Sequence, residues 1–206
     1  MTMPDQTSGK KLDPKISKKI TLENLFQTET LNMVFYDDSF TKTKFFVKMI
    51  SKQNIPIFYF DTDLLYSGYL VARETPQPKN TTIFSLNNNN LYENFKSTIN
   101  KISKTKSLVI LDSLNGFYNL FDVENNSASI INSFIMLLTS AARNAESQVV
   151  IASLSKLNDE NIWTLYNNGR HIIENKHITK IHLTSSENVI VAKVLNTENP
   201  DLILEI

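Results

Sequence analysis

Apolar residues fall into short continuous runs separated by longer stretches of helical period. Residues 32–36 (NMVFY), 55–60 (IPIFYF), 107–111 (SLVIL) and 148–152 (QVVIA) are almost unbroken apolar runs. A strand with no polar alternation has no wet face, so each run predicts a strand covered on both sides. Residues 81–85 add a shorter strand. Between these runs the period changes. Residues 43–52 gather Phe45, Phe46, Met49 and Ile50 on one helical face, with Lys44, Lys48 and Lys52 elsewhere. Residues 91–102 repeat Leu91, Phe95, Ile99 and Ile102, and residues 129–145 carry Ile130, Ile131, Phe134, Ile135, Leu138 and Ala142. Strands alternating with helices predict an α/β fold with a mostly parallel central sheet flanked by helices. Beyond Gly169 the runs 171–174, 178–183, 189–195 and 202–206 are shorter and partly alternating. With a turn at Ser185-Ser186-Glu187-Asn188, they predict C-terminal antiparallel strands extending one sheet edge. Residues 87–90 and 116–127 read as loops, and Trp163 and Tyr166 as helix packing.

Composition changes this picture little. The length, 206 residues, fits one domain, divided into a basic tail over 1–19 and a folded domain over 20–206. The tail holds Lys10, Lys11, Lys15, Lys18 and Lys19 against Asp5 and Asp13. Net charge is +0, so the whole molecule gains little counterion release on a phosphate backbone. Only weak nucleic-acid binding is expected, residing in the tail. Cysteine is absent, which excludes disulfides, thiolate nucleophiles and Cys-ligated metals. No apolar run approaches the roughly 20 residues that span a bilayer, and no apolar signal core follows Met1. The expectation is a cytoplasmic protein with no membrane partner. His177 and His182 have odd spacing and face opposite sides of one strand; with His171 they suggest no metal site.

Ligands of parallel sheets sit at the carboxyl ends of the strands. Here those ends are Tyr36–Asp38, Asp61–Asp63, Asp112-Ser113 and Ser153. Residues 36–43 (YDDSFTKT) have the spacing of the phosphate loop G-x-x-x-x-G-K-[ST] between a strand and a helix. Lys42 and Thr43 match the terminal pair, where lysine neutralises phosphates and the hydroxyl holds Mg²⁺. Tyr36 and Thr41 stand where the two glycines belong, in a chain with only four glycines. Glycine lets such a loop curl its N–H groups around a phosphate. The loop is therefore expected not to be a preformed phosphate nest, with Lys42 turned to solvent or paired with Asp37, Asp38 or Asp112. Residues 108–113 (LVILDS) are an apolar strand ending in an aspartate able to orient a Mg²⁺ shell. The same carboxylates imitate a phospho-acceptor pocket, but the gap from Asp38 to Asp112 is too long for a receiver domain, and the trailing strands do not belong to one.

The order of these segments resembles the RecA/RadA family and its KaiC-like relatives, in an archaeal-type divergent form, over residues 30–206. The loop 36–43 comes first. Phe58-Tyr59-Phe60-Asp61-Thr62-Asp63 resembles the family's strand ending in Asp-Thr-Glu. Asp112-Ser113 matches the family's second aspartate motif. Helix 129–145, strand 148–152, Gly169-Arg170-His171-Ile172 and 181–194 follow in family order. The resemblance implies a RecA-like P-loop NTPase fold with a degenerate first loop. It implies nucleotide binding by Lys42, Thr43, Asp112 and Ser113, with Thr43 and Asp112 as metal ligands wherever Mg²⁺-nucleotide binds. It makes Asp112 and Asp63 the catalytic positions, Asp63 replacing the glutamate that polarises water. Asp63 is one methylene shorter, which draws the carboxylate back by about 1.5 Å, a displacement that alone lowers a rate steeply. Ser153-Leu154 replaces a polar pair that senses the γ-phosphate. Loop 116–127 aligns with a DNA-contacting loop but carries Asp122 and Glu124 and no Lys or Arg. Its Phe117, Tyr118 and Phe121 are therefore expected in hydrophobic contact with a neighbouring subunit or with the domain's own core, and in the first case as interface anchors. The implied function is a RecA/RadA-like paralogue without efficient ATPase activity and needing no cofactor. It would be an accessory or scaffold subunit in recombination and repair, forming a homo-oligomer or binding a RecA-family partner. The alternatives are a weak ATPase using ATP and Mg²⁺ at Lys42, Thr43, Asp63 and Asp112, and an RNA-binding ring subunit similar to the RecA-like Elongator subunits.

Overall fold

The computed structural model describes residues 21–22, 25–26, 29–87, 89–121, 126–157, 163–165, 177–186, 189–195 and 202–205. The apolar runs form β1 (Leu31–Tyr36), β2 (Ile57–Asp61), β3 (Thr81–Ser85), β4 (Leu108–Asp112) and β5 (Gln148–Leu157). The helical-period segments form α1 (Ser39–Ser51), α3 (Leu91–Ile102) and α5 (Ser127–Arg143). Two short helices add to these: α4 (Leu114–Asn119) overlaps the loop expected over 116–127, and α2 (Leu65–Val71) lies where no element was predicted. β6 (Trp163–Leu165) is a strand, which places Trp163 on extended backbone rather than in helix packing. β7 (Ile178–Ser186), β8 (Val189–Val194) and β9 (Leu202–Glu205) complete the chain. The predicted strand 171–174, Tyr166 and the turn residues 187–188 lie outside the described residues.

The sheet order is β3-β2-β4-β5-β1-β7-β8-β9, with β6 antiparallel on β5. All neighbours from β3 to β7 pair in parallel. β7 thus extends the parallel sheet, and only β8 and β9 continue it antiparallel. β7 was expected to be antiparallel because it alternates; the alternation reflects a strand wet at its far end, not its direction.

The two-residue period of each strand sorts side chains onto two faces. Val34, Tyr36, Ile57, Tyr59, Leu108, Ile110, Val150 and Ala152 pack with Phe45, Phe46, Met49 and Ile50 of α1 and Tyr66 of α2. Met33, Phe35, Phe58, Phe60, Val109, Leu111, Val149 and Ile151 pack with Phe95, Ile102, Phe117, Ile131, Ile135 and Leu138 from the opposite helices. Phe60, Phe95 and Phe117 stack in series at 4.6 and 5.5 Å, each pair adding about 0.5–1.5 kcal/mol beyond its buried area. Phe117, Tyr118 and Phe121 are thus core residues, buried within their own chain. This corrects their expected role as interface anchors: α4 folds the segment back onto the sheet and leaves these rings no exposed surface to offer.

Candidate functional site at the carboxyl edge

Strand parity also assembles the site. Tyr59 and Asp61 on β2, Asp112 on β4 and Tyr36 on β1 face the α1 side of the sheet, and Asp61 lies directly opposite Asp112. Asp38 caps the N-terminus of α1. Its carboxylate accepts from the N–H of Thr41 (2.7 Å), the N–H of Phe40 (3.3 Å) and the hydroxyl of Thr41 (2.5 Å). An acidic cap satisfies helix N–H groups that otherwise lack partners and meets the positive end of the helix dipole. Burial opposes the Asp38 charge, but the bonds from Thr41 and Phe40 outweigh it and hold the carboxyl below its ordinary value.

One turn further, the Lys42 side chain passes inward and is completely buried. Its Nζ donates to Asp112 Oδ1 and, at 3.1 Å, to Asp63 Oδ2, and lies 4.9 Å from the centre of the Tyr36 ring. The Tyr59 hydroxyl donates to the other oxygen of Asp112, and the Tyr36 hydroxyl bonds Ser113. Burial disfavours the ammonium, yet the fields of Asp112, Tyr36 and Asp63 overcome it, so Lys42 stays protonated well beyond the ordinary lysine range. Burial pushes the Asp112 carboxyl up to about 6, against the pull of Lys42 and the Tyr59 bond. Burial likewise raises Asp61, which accepts from the Ser67 N–H (2.7 Å) and hydroxyl (2.6 Å) through Oδ2. Its Oδ1 is buried with no hydrogen-bond partner. Tyr66, stacked on Tyr59 at 4.4 Å, is raised to about 12 by burial and by Asp61.

The carboxyl ends of β2 and β4 are tied together through Thr62. Its hydroxyl donates to the Asp112 carbonyl (2.8 Å) and accepts from the Ser113 N–H (2.7 Å). Gly116 closes over this latch: a Cβ there would lie 2.2 Å from Thr62 Oγ1 and 2.4 Å from Asp63 Oδ1. Asn115 reaches across to accept from the Leu154 N–H at 3.0 Å. Ser153 is buried, and its Oγ has no partner.

The structure brings Lys42, Asp63 and Asp112 together. Lys42 does not point to solvent, and its partners are Asp112 and Asp63 rather than Asp37 or Asp38. Thr43 is buried and donates to the Ser39 carbonyl within α1 at 2.9 Å. Ser113 caps α4, accepting from the Gly116 N–H at 3.2 Å. Tyr59, Asp61, Thr62, Ser67 and Gly116 complete the site without having been singled out. Tyr59 and Asp61 carried one usable signal: both lie at even spacing along the strand leading to Asp63, which places them on one face. Among the described residues, no helix is long and apolar enough to cross a membrane.

No protein-family model matches the sequence, and no curated protein matches it. Solved structures do match the fold. A KaiC-like protein from the hyperthermophilic archaeon Pyrococcus horikoshii OT3 superposes with a TM-score of 0.53 at 12% identity, covering 85% of this chain and 84% of that one. The RadB recombinase superposes with a TM-score of 0.55 at 15% identity, covering 87% and 88%. The chain has a RecA/KaiC-like fold. At these identities the likeness is one of architecture, spanning nearly the whole of each chain. Within the RecA-like framework, Lys42 starts the helix after the first strand, and Asp112 ends the strand two places away across β5.

Proposed function

We propose that this chain is a RecA-like subunit without efficient ATPase activity, acting as an accessory or scaffold protein in DNA recombination and repair, as a homo-oligomer or with a RecA-family partner. One observation carries the reading: the Lys42 ammonium is fully buried and already committed to two carboxylates. A lysine in this position must reach outward to neutralise phosphate, and here it reaches inward. The rest of the loop agrees. Asp38 occupies the N–H groups at the start of α1, Tyr36 covers the ammonium, and the Thr43 hydroxyl bonds its own helix. The residues present do not fit a Mg²⁺-nucleotide in this arrangement. The recombination setting is supported by the likeness to the RadB recombinase.

A second reading, a weak ATPase, is favoured by the convergence of Lys42, Asp63 and Asp112 on one point. Calorimetric titration with ATP and Mg²⁺ separates the two. The expected result is no measurable binding to the wild type or to Lys42→Met, each shown to be folded by circular dichroism. Micromolar binding by the wild type, lost in Lys42→Met, would overturn the proposal and establish the weak ATPase.

A further inference from the structure

At the amino edge of the sheet, the opposite end of the strands from Lys42, lies a hollow of about 320 Å³. That volume stands at the lower end of small-molecule sites, roughly 300–1,000 Å³. The starts of β1, β4 and β5 build it. The buried Ser147 hydroxyl accepts from the Ser107 N–H (2.9 Å) and donates to the Ile102 carbonyl (3.0 Å). The Gln148 N–H donates to the Ser107 carbonyl (2.9 Å), and the Val149 N–H to the Thr30 carbonyl (2.7 Å). These bonds fix the backbone beneath the hollow, so side chains are what a visiting molecule meets.

Four of those side chains are charged: Glu29 ahead of β1, Lys106 ahead of β4, Arg143 at the end of α5, and Glu146 in the turn that follows. They satisfy one another poorly. Lys106 and Glu146 approach only to 3.9 Å, with the two side chains 52% and 86% exposed, an arrangement in which water screens most of the attraction. Glu29 pairs with His177 outside the hollow, also at 3.9 Å. Arg143 forms no ion pair among the described residues. Glu29 and Arg143 therefore line one cavity with opposite charges and do not meet across it. Glu146 adds a second sign of construction. It has φ 52, in the left-handed turn closed by the Ser147 N–H on the Ala142 carbonyl at 2.9 Å. Glycine usually fills that position after a helix, and here the wall carries a carboxylate instead.

A ligand with one charge gains from one wall of such a hollow and is repelled by the other. A ligand carrying both charges gains from both. A carboxylate matches the two-pronged guanidinium, and an ammonium matches the opposing carboxylate. Because Glu29 and Arg143 stand apart, the two charges of the ligand must stand apart as well. We propose that this hollow binds a small aliphatic zwitterion, an amino acid with its ammonium at one end against Glu29 and its carboxylate at the other against Arg143. The site is independent of whether nucleotide binds at the carboxyl edge.

The test titrates the full ¹⁵N-labelled chain at pH 7 and constant ionic strength, following assigned amide shifts. The probes are 4-aminobutyrate and 6-aminohexanoate, with butylamine and butyrate as single-charge controls. The expected result is saturable binding of at least one zwitterion in the millimolar range or tighter, with shifts centred on Thr30, Arg143, Glu146 and Gln148. Butylamine and butyrate bind at least tenfold more weakly. Glu29→Gln and Arg143→Gln each weaken the zwitterion at least tenfold, and the spectra themselves report that the variants are folded. Exchanging the charges, Glu29→Arg with Arg143→Glu, recovers most of the affinity, since a zwitterion can lie reversed. No saturable shift with either zwitterion at about 50 mM, well beyond a millimolar Kd, would overturn the proposal. So would equal affinity for butylamine or butyrate, affinity unchanged in either single variant, a charge exchange no better than the single variants, or shifts centred on the Lys42 edge.

Discussion

Removing the Lys42 ammonium is the perturbation with the largest expected effect. From sequence, Lys42 was expected near the surface, where an ion pair contributes up to about 1 kcal/mol. The structure changes that expectation, because neither Lys42 nor Asp112 is exposed at all. Breaking a buried pair by deleting one partner leaves the other charge without compensation and costs about 3–5 kcal/mol. That is a large fraction of the roughly 5–15 kcal/mol that holds a domain folded. In a chain of this size it lowers Tm by about 6–20 °C, at roughly 2–4 °C per kcal/mol. Lys42→Met keeps most of the side-chain volume, so its deficit measures charge rather than a cavity. Adding Asp112→Asn removes the stranded carboxylate and leaves an amide oxygen for the Tyr59 hydroxyl. The double variant is therefore expected to be more stable than Lys42→Met alone, a coupling readable in a double-mutant cycle. Urea unfolding at pH 7 gives the values, with an unchanged slope as the check that the unfolded state is the same. The Lys42→Met deficit also shrinks as pH falls, since Asp112 is then free to take up a proton. A loss below about 1 kcal/mol, or a deficit indifferent to pH and to Asp112→Asn, would refute the reasoning.

Other consequences follow from the same contacts. Burial raises the Asp112 carboxyl to about 6 and raises Asp61 as well; the folded protein therefore binds more protons than the unfolded chain between about 6 and the ordinary 3.8. The contribution of these two groups to stability must rise as pH falls through that window and fall as pH rises. Asp112→Asn should flatten the urea midpoint's pH profile between pH 7 and 5, and parallel profiles would contradict the assignment. Gly116→Ala forces a Cβ onto Thr62 and Asp63 and should cost about 1–3 kcal/mol as an overpacked contact, measured by thermal unfolding. Asp38→Ala should cost about 1 kcal/mol through loss of the α1 cap; an unchanged midpoint would mean that water replaces the cap fully. Binding to single-stranded DNA should be weak at physiological salt and lost on deleting residues 1–19, and tight binding that survives the deletion would contradict the zero net charge argument.

Much of this architecture was legible because strands covered on both faces cannot be polar, so NMVFY, IFYF and LVIL announce themselves. α3 matches its predicted bounds for the same reason, through Leu91, Phe95 and Ile102 at helical spacing. What was missed lacked period. α2 begins after a left-handed leucine and contains Gly68, and α4 contains Gly116 where the chain must pass close to Thr62. Residues 116–127 therefore read as a loop and 65–71 carry no predicted element, because the glycine signal in one-dimensional form is the same for a turn and for a close approach. Within the site, Lys42 and Asp112 were found by motif spacing, but the inward direction of Lys42 was not. Direction depends on Tyr59 and Tyr36, two aromatic residues that look like ordinary core until the register sets them beside Asp112. For the three aromatics Phe117, Tyr118 and Phe121 residue type leaves a subunit contact and the domain's own core equally open, and only the fold decides for burial.

The position of β1 has a consequence for how the chain is made. Leu31 lies opposite Val149 on one side and Ile178 on the other, so β1 leaves the ribosome long before either of its neighbours has been synthesised. β2 pairs with β3 on one side and β4 on the other, and all three come from one continuous stretch. Vectorial synthesis therefore favours a block of β3, β2 and β4 with α3 across it, while the apolar run of β1 waits unpaired with both edges open. Closing the sheet is a late, long-range event of the slow kind, and it is the same event that carries Lys42 from the start of α1 to Asp112 at the end of β4. Until β5 is inserted between them, the buried pair does not exist. A nascent chain arrested short of residue 148 would carry a free lysine and a free aspartate, and the complete chain would not.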